Sequence, residues 1–378
     1  MSDERLFLGL ISGTSADGID AALVGIDDSS LRTIAADTIA FDGELKARLD
    51  EALAAPDAIT AQALGEIDSA MGDSLAAAAL TLLRYAGFRA SDITAIGSHG
   101  QTLFHAPEGN PPFTLQIGDG ARIAQGTGIT TINDFRRADL AAGGQGAPLA
   151  PLLHDQLLRS HVENRAVVNL GGIANVTLLL PEQPTVGWDT GPANTLMDTW
   201  AKLCGVGDYD EGGVIASNGT VDQPLLERLL AEPYLAEPAP KSTGRELFNA
   251  DWLLTKLRMK PAAIDAMSAA AQADIMATLC EFTADTVIRG IHDSAEPVNR
   301  VIICGGGWAN RNLRDRLAAG LPDAALTGSG DFGLDPEFVE AVLFAWLAAR
   351  RWDNLAIDTT TITGARHSVV AGCIHAAD

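Results

Sequence analysis

Twice in this chain a run of large apolar residues breaks at a glycine-bearing turn and resumes at once as a second apolar run. The first is Leu6-Phe7-Leu8-Gly9-Leu10-Ile11, the turn Ser12-Gly13-Thr14-Ser15-Ala16-Asp17-Gly18, and a return over 19–26. The second is Arg165-Ala166-Val167-Val168-Asn169-Leu170, the turn Gly171-Gly172-Ile173-Ala174-Asn175, and a return over 176–180. A strand followed directly by a strand is a hairpin, not the strand-to-helix loop of a P-loop. Two such openings predict a duplicated architecture, alike in pattern rather than in residue identity. No G-x-G-x-x-G follows a strand to open a helix, so nothing calls for a Rossmann unit.

The rest of the pattern alternates. Helical spacing covers 43–53, 59–85, 194–203, 267–292 and 337–352, and strand-like runs cover 93–97, 129–132 and 301–304, the last ended by Gly305-Gly306-Gly307. Pro233, Pro238 and Pro240 mark an irregular excursion. The expected fold is α/β, with two lobes around a central cleft. Residues 1–132 and 353–378 are assigned to the N-terminal lobe and 133–352 to the C-terminal lobe.

Composition narrows the function. With 47% hydrophobic and 20% charged residues among 378, the chain can bury a sizeable core. Its net charge of −23 disfavours nucleic acid and anionic membrane as partners. The apolar stretch from Leu6 is far shorter than the ~20 residues of a membrane span, and no basic leader precedes it. A soluble cytoplasmic protein is expected. Cys204, Cys280, Cys304 and Cys373 form no C-x-x-C pair and no zinc pattern, so they read as reduced thiols.

Several turns concentrate polar chemistry. Gly13 to Asp20 offers unshielded backbone N–H groups, two hydroxyls and the carboxylates of Asp17 and Asp20, a set suited to oligophosphate and its Mg²⁺; it is equally compatible with a plain tight hairpin. In Gly187-Trp188-Asp189-Thr190-Gly191-Pro192-Ala193-Asn194 a carboxylate precedes a turn, with Asn194 placed to cap a helix whose N-terminus favours phosphate. Asp189 is the candidate general base, the alternative being a turn aspartate bonded to its own backbone. Gly305-Gly306-Gly307 suits either close approach of an adenine ring, with Trp308 against its face, or strand-to-helix packing. Ser98-His99-Gly100-Gln101-Thr102 reads as a polar loop, and Asn133-Asp134-Phe135-Arg136-Arg137 adds two guanidiniums; together they suit hydroxyl and carboxylate recognition. His105, His154, His161, His367 and His375 give no chelating pattern and read as structural or exposed.

Taken in order, these stretches resemble the anhydro-N-acetylmuramic acid kinases of the actin/hexokinase/Hsp70-like ATPase superfamily. Further matching motifs are Ala142-Gly143-Gly144-Gln145-Gly146-Ala147-Pro148-Leu149 and Pro240-Lys241-Ser242-Thr243-Gly244-Arg245-Glu246, so the resemblance covers nearly the whole chain. It implies a two-lobed actin-like (ribonuclease H-like) ATPase fold. It implies ATP at Gly13, Thr14, Ser15, Ala16, Asp17, Gly18, Ile19, Asp20, Gly171, Gly172, Asn175, Gly191, Gly305, Gly306 and Gly307, with Mg²⁺ at Asp17 and Asp20. It implies amino-sugar contacts from Ser98, His99, Gln101, Thr102, Arg136 and Glu340, Arg136 pairing with the lactyl carboxylate or a nearby oxygen. In such kinases a water deprotonated by the counterpart of Asp189 attacks the anomeric carbon, the 1,6-anhydro bond opens, and O6 takes the γ-phosphoryl group. N-acetylmuramic acid 6-phosphate and ADP result, in cell-wall recycling. The resemblance also favours a homodimer.

The sequence departs from the family at Ala16, where leucine is usual, at Ala193, where glycine is usual, and at Trp308, where a smaller residue is usual. Nucleotide affinity is the property these changes bear on. Two other readings stand beside this one: an ordinary sugar or small-carboxylate kinase of the same superfamily, and a nucleotide-switched binding protein.

Overall fold

The computed structural model describes residues 4–13, 16–27 and 30–377. The chain divides into two compact units, Met1–Leu153 with Phe338–Asp378, and His154–Glu337. The first unit contains β1 (Arg5–Ser12), β2 (Gly18–Ile26), β3 (Leu31–Ala40), β4 (Ala95–Ala106), β5 (Phe113–Ile117) and β6 (Thr131–Asn133). The second contains β7 (Arg165–Leu170), β8 (Ile173–Leu179), β9 (Val186–Pro192), β10 (Arg300–Cys304) and β11 (Ala325–Gly328); a short β12 (Cys373–His375) belongs to the first.

Both sheets have one plan. In the first unit the order runs β12-β6-β4-β1-β2-β3, with β5 paired to β4; in the second it is β11-β10-β7-β8-β9. Each begins with an antiparallel three-strand meander, β1-β2-β3 or β7-β8-β9. Each then lays two strands parallel to the first, β4 and β6 or β10 and β11. This repeated 3-2-1-4-5 order is the duplication that the two hairpin openings predict, in the ribonuclease H-like arrangement that the family resemblance implies.

Packing explains which helix joins which sheet. In the first unit Ile67, Met71, Leu75 and Leu82 of helix Ala61–Ala86 are buried with Leu8, Leu10, Ile19 and Leu23 of the sheet. Thr60 caps that helix at Ala63 N–H, and Gly87 ends it in the left-handed conformation. In the second unit helix Ala269–His292 buries Met276, Leu279, Phe282 and Val287 with Val168, Val176 and Trp188.

Helix Val339–Trp352 packs on the first sheet by an unusually close contact. Gly9 of β1 and Gly97 of β4 are register partners, and a Cβ on either would run into the helix backbone at Ala341 or Phe344. Residues 133–153 and 338–352 therefore lie in the first unit, whereas the sequence reading placed them in the C-terminal lobe. The side-chain pattern of 339–352 announces an apolar helix but not the glycine face that receives it.

Candidate active site

The first unit gathers polar groups along the far half of β4. Ser98 to Thr102 lie within this strand rather than in a loop after it. The strand continues because Gly100 adopts φ +74° at a bulge opposite Leu10 and Ile11, beyond which Gln101 pairs with Ser12 and with Ile117. Strand alternation then delivers side chains in a fixed order, and the buried oxygens Ser12 Oγ, Ser98 Oγ and Gln101 Oε1 have no hydrogen-bond partner among the described residues. Thr102 Oγ1 accepts from Gln116 Nε2 at 3.1 Å.

His99 is buried and held as one neutral tautomer. Its Nδ1 faces the Gly100 carbonyl at 3.1 Å, while Nε2 accepts from Arg136 Nε at 2.9 Å, so the proton sits on Nδ1. Burial first, then the Arg136 charge, holds its pKa well below the ordinary imidazole value. Its ring packs 4.6 Å from that of Phe344. Arg136 also donates from Nη1 to the Gly146 carbonyl at 2.8 Å, and Gly146 N–H donates in turn to the buried Asp139 carboxylate at 2.7 Å. Asp139 further accepts from the hydroxyls of Thr359 and Thr363, which ties the C-terminal segment to the Arg136 loop.

Glu340, on helix Val339–Trp352, is pushed above the ordinary carboxylate range by the protein atoms around it, with Arg136 opposing and Asp20 reinforcing. Its surface remains open to water, which tempers that push. Arg136, Glu340 and Asp20 thus share one electrostatic neighbourhood.

The hairpin turn divides by exposure. Thr14 and Ser15 lie outside the described residues. Ala16 is fully buried at φ +53°, with its N–H on the Gly13 carbonyl at 3.0 Å. Ile19 is likewise fully buried in the first unit's core, so at a nucleotide site these two have only backbone groups to offer. Gly13 has open space where a side chain would stand, Asp17 is exposed, and Asp20 accepts from the Thr38 hydroxyl at 2.6 Å. Among the described residues no three His, Cys, Asp or Glu side chains converge as a metal cage. One or two carboxylates beside substrate phosphates is the usual protein contribution to Mg²⁺, and Asp17 with Asp20 fits that donor set.

In the second unit Asp189 sits within β9, opposite Asn175 of β8 and just past a bulge at Ala174. It is 8% exposed. Its Oδ2 accepts from Thr243 N–H at 3.0 Å, its N–H donates to the Lys241 carbonyl at 3.1 Å, and its carbonyl accepts from the Tyr234 hydroxyl at 2.8 Å. Asn175 Oδ1, Thr195 Oγ1 and Thr243 Oγ1 are buried without a hydrogen-bond partner among the described residues. These polar atoms belong to the motifs that the sequence singles out or to their immediate neighbours.

The neighbouring helix N-terminus differs from expectation. Helix Asn194–Leu203 has Ala193 as its N-cap, and Asn194 instead donates its side-chain amide to the carbonyls of Leu170 and Gly171 at 2.9 and 2.8 Å. The N–H groups of Ala193, Asn194 and Thr195 are bonded to the carbonyls of Gly172, Gly171 and Gly172. Those donors are spent on the β7–β8 turn, so this end does not present them to an anion. Gly172 is small because Thr195 Oγ1 would lie 2.8 Å from its Cβ, and Gly191 takes φ +150°.

The triple glycine divides between packing and open space. Cβ atoms on Gly305 and Gly307 would strike Asn169 and Leu170, whereas Gly306 meets nothing within 4 Å and is exposed. Two of the three are thus packing glycines and one is open to a ligand. Trp308 is half-buried, with Gly328 against its indole and the Arg314 guanidinium 4.7 Å from its ring.

Sequence reasoning assigned no role to Tyr234, Lys241 or Thr243. The motif from Pro240 to Glu246 was the available signal, but nothing in its spacing says that it folds along β9.

A family model described as Anhydro-N-acetylmuramic acid kinase matches residues 5–377. The anhydro-N-acetylmuramic acid kinase of Xanthomonas oryzae pv. oryzae is 46% identical over 378 residues, covering 99% of this chain and 98% of that one. Its counterpart in Xylella fastidiosa is 46% identical over 375 residues, covering 98% and 96%. The Vibrio cholerae kinase is 43% identical over 380 residues, covering 100% of each. Among the described residues, no helix is long and apolar enough to cross a membrane.

Proposed function

Because the chain belongs to the anhydro-N-acetylmuramic acid kinase family, we propose that it uses ATP and water to convert 1,6-anhydro-N-acetylmuramic acid into N-acetylmuramic acid 6-phosphate and ADP, in peptidoglycan recycling. The observation that carries the chemistry is Asp189: a nearly buried carboxylate, fixed at one oxygen by Thr243 N–H, on a strand bonded at both its N–H and its carbonyl. A general base needs that fixity, because it works only within hydrogen-bond reach of the proton it takes.

Asp189 accepts a proton from water as the water oxygen bonds to the anomeric carbon. The bond from that carbon to O6 breaks, and its electron pair stays on O6. O6 then attacks the γ-phosphorus, and ADP departs. Ring opening therefore supplies the acceptor alkoxide, so no second base is required for O6.

On the sugar side, His99 is neutral with its proton on Nδ1, and Arg136 is the cation that matches a lactyl carboxylate. Ser98, Gln101, Thr102 and Glu340 complete the sugar contacts. ATP is assigned to Gly13, Thr14, Ser15, Ala16, Asp17, Gly18, Ile19, Asp20, Gly171, Gly172, Asn175, Gly191, Gly305, Gly306 and Gly307, with Ala16 and Ile19 contributing backbone only. Asp17 and Asp20 would hold Mg²⁺, whose contribution there would be to neutralise phosphate charge. The working form is a cytoplasmic homodimer.

The deciding experiment is mass spectrometry of the product formed from the anhydro sugar, ATP and Mg²⁺ in ¹⁸O-labelled water. One ¹⁸O at the anomeric position, before mutarotational exchange, supports coupled hydrolysis and phosphorylation. Unreacted anhydro sugar with ATP bound points instead to an ordinary sugar kinase.

A further inference from the structure

The segment 233–246 supplies no reacting group to the chemistry above, yet it holds the proposed base at three points. We propose that Tyr234 and Lys241 are positioning residues that clasp Asp189 by its own backbone and thereby aim its carboxylate; this rests on Asp189 being the base.

Three polar groups of Asp189, its N–H, its carbonyl and Oδ2, are engaged from this segment. Lys241 receives its N–H through a main-chain carbonyl at 3.1 Å, the Tyr234 hydroxyl holds its carbonyl at 2.8 Å, and Thr243 N–H holds Oδ2 at 3.0 Å. The two arms of the clasp, Pro233–Ala236 and the stretch around 241–243, are then tied to each other. Lys241 Nζ donates to the carbonyls of Tyr234 and Leu235 at 3.1 and 3.0 Å, and stands 4.8 Å from the centre of the Tyr234 ring.

A buried ammonium is costly unless its donors are matched, and a hydrocarbon would fill the same space without that cost. Burial lowers the Lys241 pKa, against the opposing charges of Glu237 and Asp293 that face it. Burial also raises the Tyr234 phenol, with Asp189, Glu237 and Glu246 adding to the effect, so the hydroxyl stays a donor. What the charge provides is direction: two carbonyls fix the lysine, and the lysine fixes the segment that carries Thr243. On the face of β9 that carries Thr190, that side chain abuts Gly290 of helix Ala269–His292, where a Cβ would have no room. The strand is therefore bounded on that face as well.

The test uses the full chain with 1,6-anhydro-N-acetylmuramic acid and ATP, comparing Tyr234→Phe and Lys241→Met with Asp189→Asn. In the first two, kcat should fall about tenfold while both KM values stay within about twofold, because alignment and not binding is lost. The acid limb of the kcat profile should move to higher pH, since a carboxylate that loses an aligned N–H donor becomes easier to protonate. Unchanged kcat and acid limb would overturn the clasp. So would activity that merely tracks a lowered melting temperature with the acid limb in place. Lys241→Met keeps the Tyr234 ring and so repeats the test if Tyr234→Phe folds poorly. Full activity in Asp189→Asn would instead remove the base, and the clasp with it.

Discussion

The fourth strands of the two sheets, β4 and β10, hold the same position beside the first strand, yet they end differently. β10 stops at Cys304, where Gly305 turns the chain into Gly306–Ala309. β4 passes through its Gly100 bulge and runs on to Ala106, paired with β5. The third strands differ in the opposite sense. β3 is half exposed along its length, whereas β9 is buried, carries Asp189 and is wrapped by 233–246. One topology has thus been elaborated at strand four in the first unit, yielding a row of polar side chains, and at strand three in the second, yielding one fixed carboxylate.

This contrast can be broken most severely at Asp189. Asp189→Asn should lower turnover by about 10³-fold or more, near the upper range for loss of a general base, while ATP affinity measured by calorimetry stays nearly intact. Loss of nucleotide binding would mean that β9 serves the phosphates rather than the water. In the first unit, Arg136→Met should raise the sugar KM by about tenfold to a hundredfold with a much smaller effect on the KM for ATP. Steady-state kinetics with each substrate varied separately would show whether recognition and base chemistry are divided between units.

The next test concerns the asymmetry in packing. Gly97→Ala should destabilise the first unit by about 3 kcal/mol in urea denaturation, since the added methyl meets backbone rather than a movable side chain. The corresponding β7–β10 pair is Val and Ile, with no such glycine contact.

Each unit also buries a neutral histidine, and the smallest effect is expected there. Burial, with Arg136 adding, lowers His105 from 6.5 to about 4, and burial lowers His154 to about 3. A depressed histidine pKa means that the unfolded chain binds the proton first. The associated stability is complete above pH 6.5 and is lost as pH falls below it. His105→Gln should spare the first unit on the order of 2 kcal/mol of that loss by pH 5, read as a smaller drop in melting temperature between pH 7 and 5.

How much of this was legible in the sequence depended on whether burial left a periodic trace. The hairpins β1–β2 and β7–β8 were readable because both strands are apolar and glycine marks the reversal. Helix 194–203 was readable from its apolar spacing, with boundaries as observed. β3 was not, because Arg32, Thr33, Asp37 and Thr38 interrupt any apolar run on a half-exposed strand. Ser98 to Thr102 looked like a loop because polar residues and a glycine sit together, although a bulge accommodates that composition inside a sheet. Asp189 could be singled out, but its partners could not. Tyr234, Lys241 and Thr243 reach it through a hydroxyl, a backbone carbonyl and a backbone N–H, and contacts in which the main chain takes part leave almost no compositional signature.

The seat of helix Val339–Trp352 on Gly9 and Gly97 also has a consequence for biosynthesis. The second unit is one uninterrupted stretch, His154–Glu337, whereas the first needs Phe338–Asp378 to cover β1 and β4. As the ribosome extends the chain, the first unit must wait, with an apolar sheet face uncovered, until the whole of the second unit and then helix Val339–Trp352 have been made. Premature termination after residue 337 would therefore release a finished second unit joined to an unfinished first one, a product marked for chaperones and proteases by the bare glycine face that the missing helix was shaped to fill.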